Sequence, residues 1–367
     1  MRTIFPPHFG FCGMTLFDSP AFKAHESVHA FSDEMTGLKA IIAIHSTARG
    51  PAAGGCRMWP YESSQAALED VLKLSRGMSY KNAVADLDLG GGKSVIIGDA
   101  RTQKTPELFE AFGRAVDSLG GRYYTAEDVG VSVADIQHAR RATKYAVGLE
   151  SGHSGSGDPS PVTAEGVFRG VNIAIRQGLG GRDVNGCTVA IQGVGHVGAY
   201  LADKLHAAGA NLIITDVNQD ALREVSGRTG AKVVGPDEIF DVDADVFSPC
   251  ALGGAITAEA LGRLKARVIA GGANNQLATP DVGRVLFEQG FTYAPDYVIN
   301  GGGIINVASE MRGLQSGAAY DPAWVEQKLA RLMETLDEVL ARSKAERRPS
   351  DEIADEIAEA RIAAARR

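Results

Sequence analysis

Two lysines stand close to a run of three glycines. Met78-Ser79-Tyr80-Lys81-Asn82 is followed by Asp88-Leu89-Gly90-Gly91-Gly92-Lys93. Glycines at that density let a substrate or a cofactor ring press against backbone. A lysine shielded from water beside a second cation loses proton affinity, which suits a general base. The other lysine can stay charged and hold a carboxylate. Either lysine alone would pass for a solvated surface cation, but the glycine run beside Lys93 tips the balance toward catalysis. Asp128 follows a short strand pattern, in Tyr124-Thr125-Ala126-Glu127-Asp128-Val129-Gly130. A carboxylate there relays protons if it faces a lysine, or caps a helix beginning near Val131; the two readings are even.

A second chemistry lies further along. Val189-Ala190-Ile191 runs into Gln192-Gly193-Val194-Gly195-His196-Val197-Gly198, and then into a helical stretch over residues 199–208. G-x-G-x-x-G between a strand and a helix is a dinucleotide-binding pattern. Gly193 allows the tight turn, Gly195 lets a pyrophosphate approach, and Gly198 lets helix and strand pack closely. The phosphates would rest on the helix N-terminus. Asp216, at the end of the next strand pattern, should accept hydrogen bonds from ribose hydroxyls. It would repel a 2′-phosphate, so NAD is expected over NADP.

These groups need elements to hold them. Residues 38–44 form a buried strand pattern, and 50–55 a loop of small residues. Residues 63–75 have the period of a helix, 94–97 of a short strand, and 105–119 of a helix capped by Thr105 with Pro106 at its first position. Residues 122–125 make another short strand. Loop chemistry over residues 150–161 marks a domain boundary, and 162–177 a linking helix. Strand patterns at 188–191, 211–215, 231–234, 244–247 and 267–270 then alternate with helices or turns, which implies a parallel wound sheet. A long helix over 322–343 and a last helix capped by Ser350 end the chain.

The motifs Gly50-Pro51-Ala52-Ala53-Gly54-Gly55, Tyr80-Lys81-Asn82, Gly90-Gly91-Gly92-Lys93, Thr125-Ala126-Glu127-Asp128, Ala273-Asn274-Asn275-Gln276 and Asn300-Gly301-Gly302-Gly303 occur in that order. With them the chain resembles the leucine/phenylalanine/valine dehydrogenase family, within the wider glutamate dehydrogenase superfamily, over residues 25–309. The resemblance implies an N-terminal mixed α/β substrate domain and a Rossmann-type NAD domain separated by a cleft. The first is expected over 1–150, joined by the C-terminal helix 345–367, and the second over 151–344. It also implies reversible NAD-dependent oxidative deamination of an apolar L-amino acid to its 2-oxo acid and ammonia, by a homo-oligomer.

By the same resemblance Lys81 binds the substrate carboxylate, Lys93 is the catalytic lysine and Asp128 its proton-transfer partner. Gly54, Gly55, Met78 and Asn275 complete the substrate contacts. Gly193, Gly195, His196, Val197, Gly198, Asp216, Thr163, Asn274 and Asn300 bind NAD. Gly301 departs from the alanine that relatives often carry. The side-chain pocket maps to Ala53, Ala126, Ile304 and Val307, all apolar, although apolar residues also serve as plain core. Glutamate-using relatives typically have a lysine where Ala53 stands. Burying a glutamate carboxylate there without a partner would be costly. Ala53 is also smaller than the leucine of typical leucine enzymes. A methylene discriminates weakly, so branched aliphatic and aromatic substrates both stay open.

Composition sets the outer limits. The net charge of -8 argues against a nucleic-acid partner. Cys12, Cys56, Cys187 and Cys250 are scattered, so neither a zinc site nor a disulfide framework is expected, and reduced thiols fit a cytoplasmic protein. Residues 1–13 lack a signal-peptide pattern, and no apolar run is long enough for a membrane span. Two other readings compete: a nucleotide-binding protein without turnover, and a 2-hydroxy-acid dehydrogenase. The second usually employs a histidine as acid/base, and none of the eight histidines lies near the glycine run.

Overall fold

The computed structural model describes residues 16–149, 155–251 and 253–366. The expectations placed on residues 1–13, on Cys12 and on 150–154 of the boundary loop lie outside the described residues.

The first sheet contains β1 (Ser27–Asp33), β2 (Leu38–Ser46), β3 (Ala52–Ala53), β4 (Cys56–Trp59), β5 (Gly90–Ile97) and β6 (Tyr123–Tyr124). Its order is β1-β2-β5-β3-β6, with β4 pairing β5 beyond β3. The first two pairings, β1 with β2 and β2 with β5, are antiparallel and the rest parallel. Helix α1 (Ser64–Val84) covers one face of this sheet, while α2 (Pro106–Asp117) and α3 (Val133–Arg140) pack on each other. Thr105 caps α2 as expected, accepting from the Leu108 N–H, with Pro106 inside the start.

Two differences from the sequence expectations bear on the site. Strand β5 begins at Gly90, four residues before the expected Ser94. The glycines belong to the strand because methyl groups on Gly91 and Gly92 would run into the Ser79 backbone and the Tyr123 ring. Helix α1 continues past Ser75 to Val84. Its last turns look polar but are buried. Ser79 Oγ lies 2.8 Å from His45 Nδ1, and Asn82 Nδ2 donates to the Gly90 carbonyl at 2.6 Å. The two bonds tie α1 to the end of β2 and to the glycine start of β5, inside the sheet.

The second sheet follows α4 (Ser160–Gly178). It consists of β7 (Thr188–Gln192), β8 (Asn211–Thr215), β9 (Lys232–Val233), β10 (Val246–Pro249), β11 (Val268–Ile269) and β12 (Thr292–Tyr293). Between its strands run α5 (His196–Ala207), α6 (Gln219–Thr229), α7 (Ala258–Arg263) and α8 (Asp281–Glu288). All its pairings are parallel, in the order β12-β11-β10-β7-β8-β9. This is the doubly wound nucleotide-binding topology, with its switch point between β7 and β10. The chain thus has the two-domain mixed α/β architecture expected, with a Rossmann-type second sheet.

Past that sheet come α9 (Asp296–Ile299), α10 (Gly302–Ser316), α11 (Pro322–Glu346) and α12 (Ser350–Ala365). Helix α12 returns to pack on α1 as well as on α11. Arg361 donates to the carbonyls of Ala83 and Val84 at 3.1 and 2.8 Å, satisfying carbonyls at the C-terminal end of α1. Tyr80 of α1 donates to Glu359 of α12. Ser350 is not the cap expected of it. Pro349 holds that position, and Ser350 is the first helical residue, donating to the Tyr293 carbonyl at 2.7 Å. Buried Glu310 of α10 gathers the N–H groups of Gly148 and Leu149, just before the boundary loop, and of Ser156 within it. No helix among the described residues is long and apolar enough to cross a membrane.

Candidate active site

The end of α1, the start of β5, the loop after β6 and the face of α10 converge on a cleft of about 530 Å³. Lys93 is 5% exposed, and its Nζ lies 2.8 Å from Asp128 Oδ2. The same oxygen receives Arg57 Nε at 3.2 Å, and Arg57 Nη1 reaches Asp70 Oδ2 at 3.0 Å. Burial alone would push the Asp128 carboxyl up, but Lys93 and Arg57 beside it hold it below the usual carboxylate range. Asp128 is therefore an ionised partner of a buried amine. It does not cap a helix: α3 starts at Val133 and is capped by Ser132, with Asp135 completing a capping box.

Lys81 lies on the same cleft and behaves differently. Its Nζ donates to Asn274 Oδ1 at 3.2 Å. Burial, reinforced by the charge of Lys93, lowers its pKa to about 8, against the pull of Asp296 and Asp128. Sequence reasoning expected one amine of lowered proton affinity beside one settled cation, with Lys93 as the catalytic lysine; the structure shows the lowered pKa at Lys81 and pairs Lys93 with Asp128 at 2.8 Å. The carboxylate on the far side, Asp296, is spent on backbone. It accepts from the N–H groups of Gln276 and Tyr297 at 3.0 and 2.7 Å, and burial raises its pKa.

Fifteen of the predicted site residues line this one cavity: Ala53, Gly54, Gly55, Met78, Lys81, Lys93, Ala126, Asp128, Thr163, Val197, Asn274, Asn275, Asn300, Ile304 and Val307. Ile304, Val307 and Met311 recur at helical spacing along α10 and present one apolar stripe. Opposite them, Ala53 of β3 pairs in register with Tyr124 of β6. The sequence did not point to Tyr124, Val147, Met311, Arg57, Asp70 or Asp296, which line the cavity too. For Arg57 and Asp70 a signal existed, since both are charged residues flanking the catalytic motifs. Tyr124, Val147 and Met311 look like any core residue.

Gly193, Gly195, His196, Gly198 and Asp216 are not among the cavity-lining residues; the first four lie on the turn from β7 into α5 at the switch point of the second sheet, and Asp216 follows β8 beside it. Gly193 has φ +97°, open to glycine almost alone, and its N–H donates to the Thr215 carbonyl at 2.8 Å. Gly195 begins α5 with no side-chain cap, and a methyl group there would meet nothing within 4 Å. Free N–H groups beside empty space at a helix start suit a phosphate. Asp216 Oδ2 accepts from the Val194 N–H at 2.7 Å, bracing the turn. Asn300 donates to Asn274 Oδ1 at 2.9 Å, while its own Oδ1 is buried without a partner among the described residues. An orphan acceptor on the cleft wall fits a ligand that brings an N–H donor. The residues present thus suit a dinucleotide.

A phosphate-ready turn feeding a cleft with a buried amine–carboxylate pair is the equipment of a two-domain dehydrogenase. Residues 21–145 match the Glu/Leu/Phe/Val dehydrogenase dimerisation domain, and residues 154–219 and 214–367 match the Glutamate/Leucine/Phenylalanine/Valine dehydrogenase family. The chain belongs to this family of amino-acid dehydrogenases, a class that is pyridine-nucleotide dependent. It is 47% identical over 349 residues to a leucine dehydrogenase of Geobacillus stearothermophilus, covering 95% of this chain and 94% of the relative. It is 45% identical over 355 residues to a phenylalanine dehydrogenase of Bacillus thermotolerans, covering 95% and 91%. Among solved structures it is similar to an L-tryptophan dehydrogenase from Nostoc punctiforme, with a TM-score of 0.80 and 39% identity over 94% of this chain and 97% of that one.

Proposed function

We propose that this protein catalyses the reversible NAD-dependent oxidative deamination of an apolar L-amino acid to its 2-oxo acid and ammonia. The observation that carries this reading is the pair of buried Lys93 and half-buried Asp128, 2.8 Å apart, sharing one cleft with Lys81 and an apolar wall. Lys81 grips the α-carboxylate, helped by Asn275 and by the backbone at Gly54 and Gly55, with Met78 alongside. Asp128, kept ionised by its two cations, takes a proton from the substrate ammonium.

Gly193, Gly195, His196, Val197, Gly198 and Asp216 would hold NAD, with Thr163, Asn274 and Asn300 at its nicotinamide end; when bound it supplies the acceptor for the hydride on Cα. Asp128 releases the proton it took to solvent and accepts one from Lys93, and the neutral Lys93 amine takes a proton from the water that attacks the resulting iminium carbon. As the carbinolamine collapses, Lys93 gives that proton to the leaving nitrogen and takes the proton of the carbinol hydroxyl, ammonia and the 2-oxo acid depart, and loss of the Asp128 proton to solvent restores the resting pair. The fixed geometry supplies much of the acceleration, and the ammonium groups stabilise developing oxyanions.

Ala53, Ala126, Ile304 and Val307 receive the substrate side chain, which brings no charge. Residues 1–150 with 345–367 serve the substrate and 151–344 the cofactor. The name of the first matched domain refers to dimerisation, which supports a homo-oligomer. Three unpaired cysteines among the described residues suit a cytoplasmic setting.

The test is a panel of L-leucine, L-valine, L-phenylalanine and lactate with NAD and NADP, followed by NADH absorbance and repeated with Lys93→Ala. Amino-acid turnover with NAD is expected, falling about a thousandfold in the variant. Full turnover by Lys93→Ala would remove the mechanism. Silence across a broad amino-acid panel would leave a nucleotide-binding protein without turnover.

A further inference from the structure

Asp128 is supported from outside the catalytic pair. Strand β4 is zipped to the segment that carries it: the Cys56 N–H donates to the Ala126 carbonyl at 2.8 Å, and the Met58 N–H to the Val129 carbonyl at 2.9 Å. Arg57, between those two bonds, is thereby set opposite Asp128. Its guanidinium spans two carboxylates, Nε on Asp128 Oδ2 at 3.2 Å and Nη1 on Asp70 Oδ2 at 3.0 Å. Asp70 also accepts from the Tyr61 hydroxyl at 2.5 Å. Asp70 belongs to α1, the helix that carries Lys81, so the arginine ties that helix to the loop holding Asp128.

We infer that Arg57, anchored by Asp70 and Tyr61, is a positioning residue that fixes Asp128 and keeps it ionised as the proton acceptor. This rests on the role proposed above for Asp128. A planar guanidinium reaches two carboxylates in two directions at once, which a lysine ammonium on a flexible stem does not reproduce. Arg57 Nε and Lys93 Nζ both meet Oδ2 of Asp128.

The groups facing Asp128 are Lys93 of β5, Arg57 and Cys56 of β4, Asp70 and Lys81 of α1, and the tyrosines 61 and 123. Only the arginine and the two lysines are cations. Among the described residues, removing Arg57 leaves Lys93 as the one cation paired with Asp128, so the Asp128 carboxyl must become easier to protonate. An opposite charge at this range typically moves a carboxyl by about one to three pH units.

The experiment is the pH profile of kcat/KM for L-leucine oxidation with NAD, for the parent enzyme, Arg57→Lys, Arg57→Gln, Asp70→Asn and Asp128→Asn, each with its thermal midpoint. Arg57→Gln should move the acid limb up by about one pH unit or more, with most of the loss recovered at alkaline pH. Arg57→Lys and Asp70→Asn should move it the same way by less. A uniform loss at every pH, with the acid limb in place, would show a merely structural arginine and overturn the inference. An active Asp128→Asn enzyme would instead overturn the proton-acceptor role itself. An inactive Asp128→Asn enzyme with unmoved arginine profiles overturns only the positioning role.

Discussion

The depressed amine of Lys81 makes substrate binding dependent on pH in a window that can be worked out. A carboxylate ligand binds the ammonium form. In the free protein burial lowers this group to about 8, so the site is ready below that pH and closes above it. At pH 7 about nine-tenths of the molecules carry the charge; at pH 9 about one-tenth do. The dissociation constant of a 2-oxo acid should therefore rise about tenfold from pH 7 to pH 9, some 1.4 kcal/mol. The carboxyl of 4-methyl-2-oxopentanoate stays ionised throughout, so the ligand contributes nothing to the change. The assay is titration calorimetry of that oxo acid with the protein and no ammonia, in buffers of different ionisation enthalpy. Binding should take up about half a proton at pH 8. Lys81→Met should bind far more weakly and lose the break near pH 8. A dissociation constant flat from pH 7 to pH 9, or a break that survives in Lys81→Met, would refute the assignment of this group to Lys81.

Ala53→Leu fills part of the cavity that Ala53 and Tyr124 line, and overpacking a tight pocket costs about 1–3 kcal/mol; kcat/KM for phenylalanine should fall about ten- to a hundredfold relative to valine, and an unchanged ratio would move the side-chain pocket elsewhere. Asp216→Ala removes a carboxylate that would repel a 2′-phosphate and bond the ribose. The ratio of kcat/KM for NADP over NAD should rise at least about tenfold, whereas a fixed ratio would mean that Asp216 only braces the Val194 N–H.

The parts of this molecule that are legible in sequence are those where local chemistry and global position agree. The glycine turn is one. Gly193 needs a backbone angle that few residues adopt, and the strand and helix beside it confirm the context. The parts that are hard to see are those where tertiary contacts override local pattern. The polar end of α1 disguises a buried helix, because Ser79 and Asn82 spend their polarity on His45 and on the Gly90 carbonyl. Gly90, Gly91 and Gly92 suggest a loop, yet they are strand, kept bare by what packs on them. Ser350 has the right residue type for a cap, but Tyr293 claims its hydroxyl. The two lysines were found by type and spacing alone. What each of them faces depends on where Asp128 and Asp296 end up, and that is a distance between elements far apart in the chain.

Placing the charges explains why the substrate side chain should be apolar. Lys93 has Asp128, and Arg57 has both Asp128 and Asp70. Lys81 has an amide oxygen and, behind it, a carboxylate already committed to backbone N–H groups. The resting site is thus short of one anion at Lys81, and offers an anion, Asp128, to any incoming ammonium. An amino-acid zwitterion supplies the missing anion and takes up the spare one with its common backbone groups alone. If Ala53, Ala126, Ile304 and Val307 receive the side chain as proposed, none of the four brings a charge to it. A glutamate side chain would then carry its carboxylate among residues that cannot pair it, at a desolvation cost of several kcal/mol. Selectivity against acidic substrates here needs no repulsive residue, since the absence of a partner at Ala53 is enough.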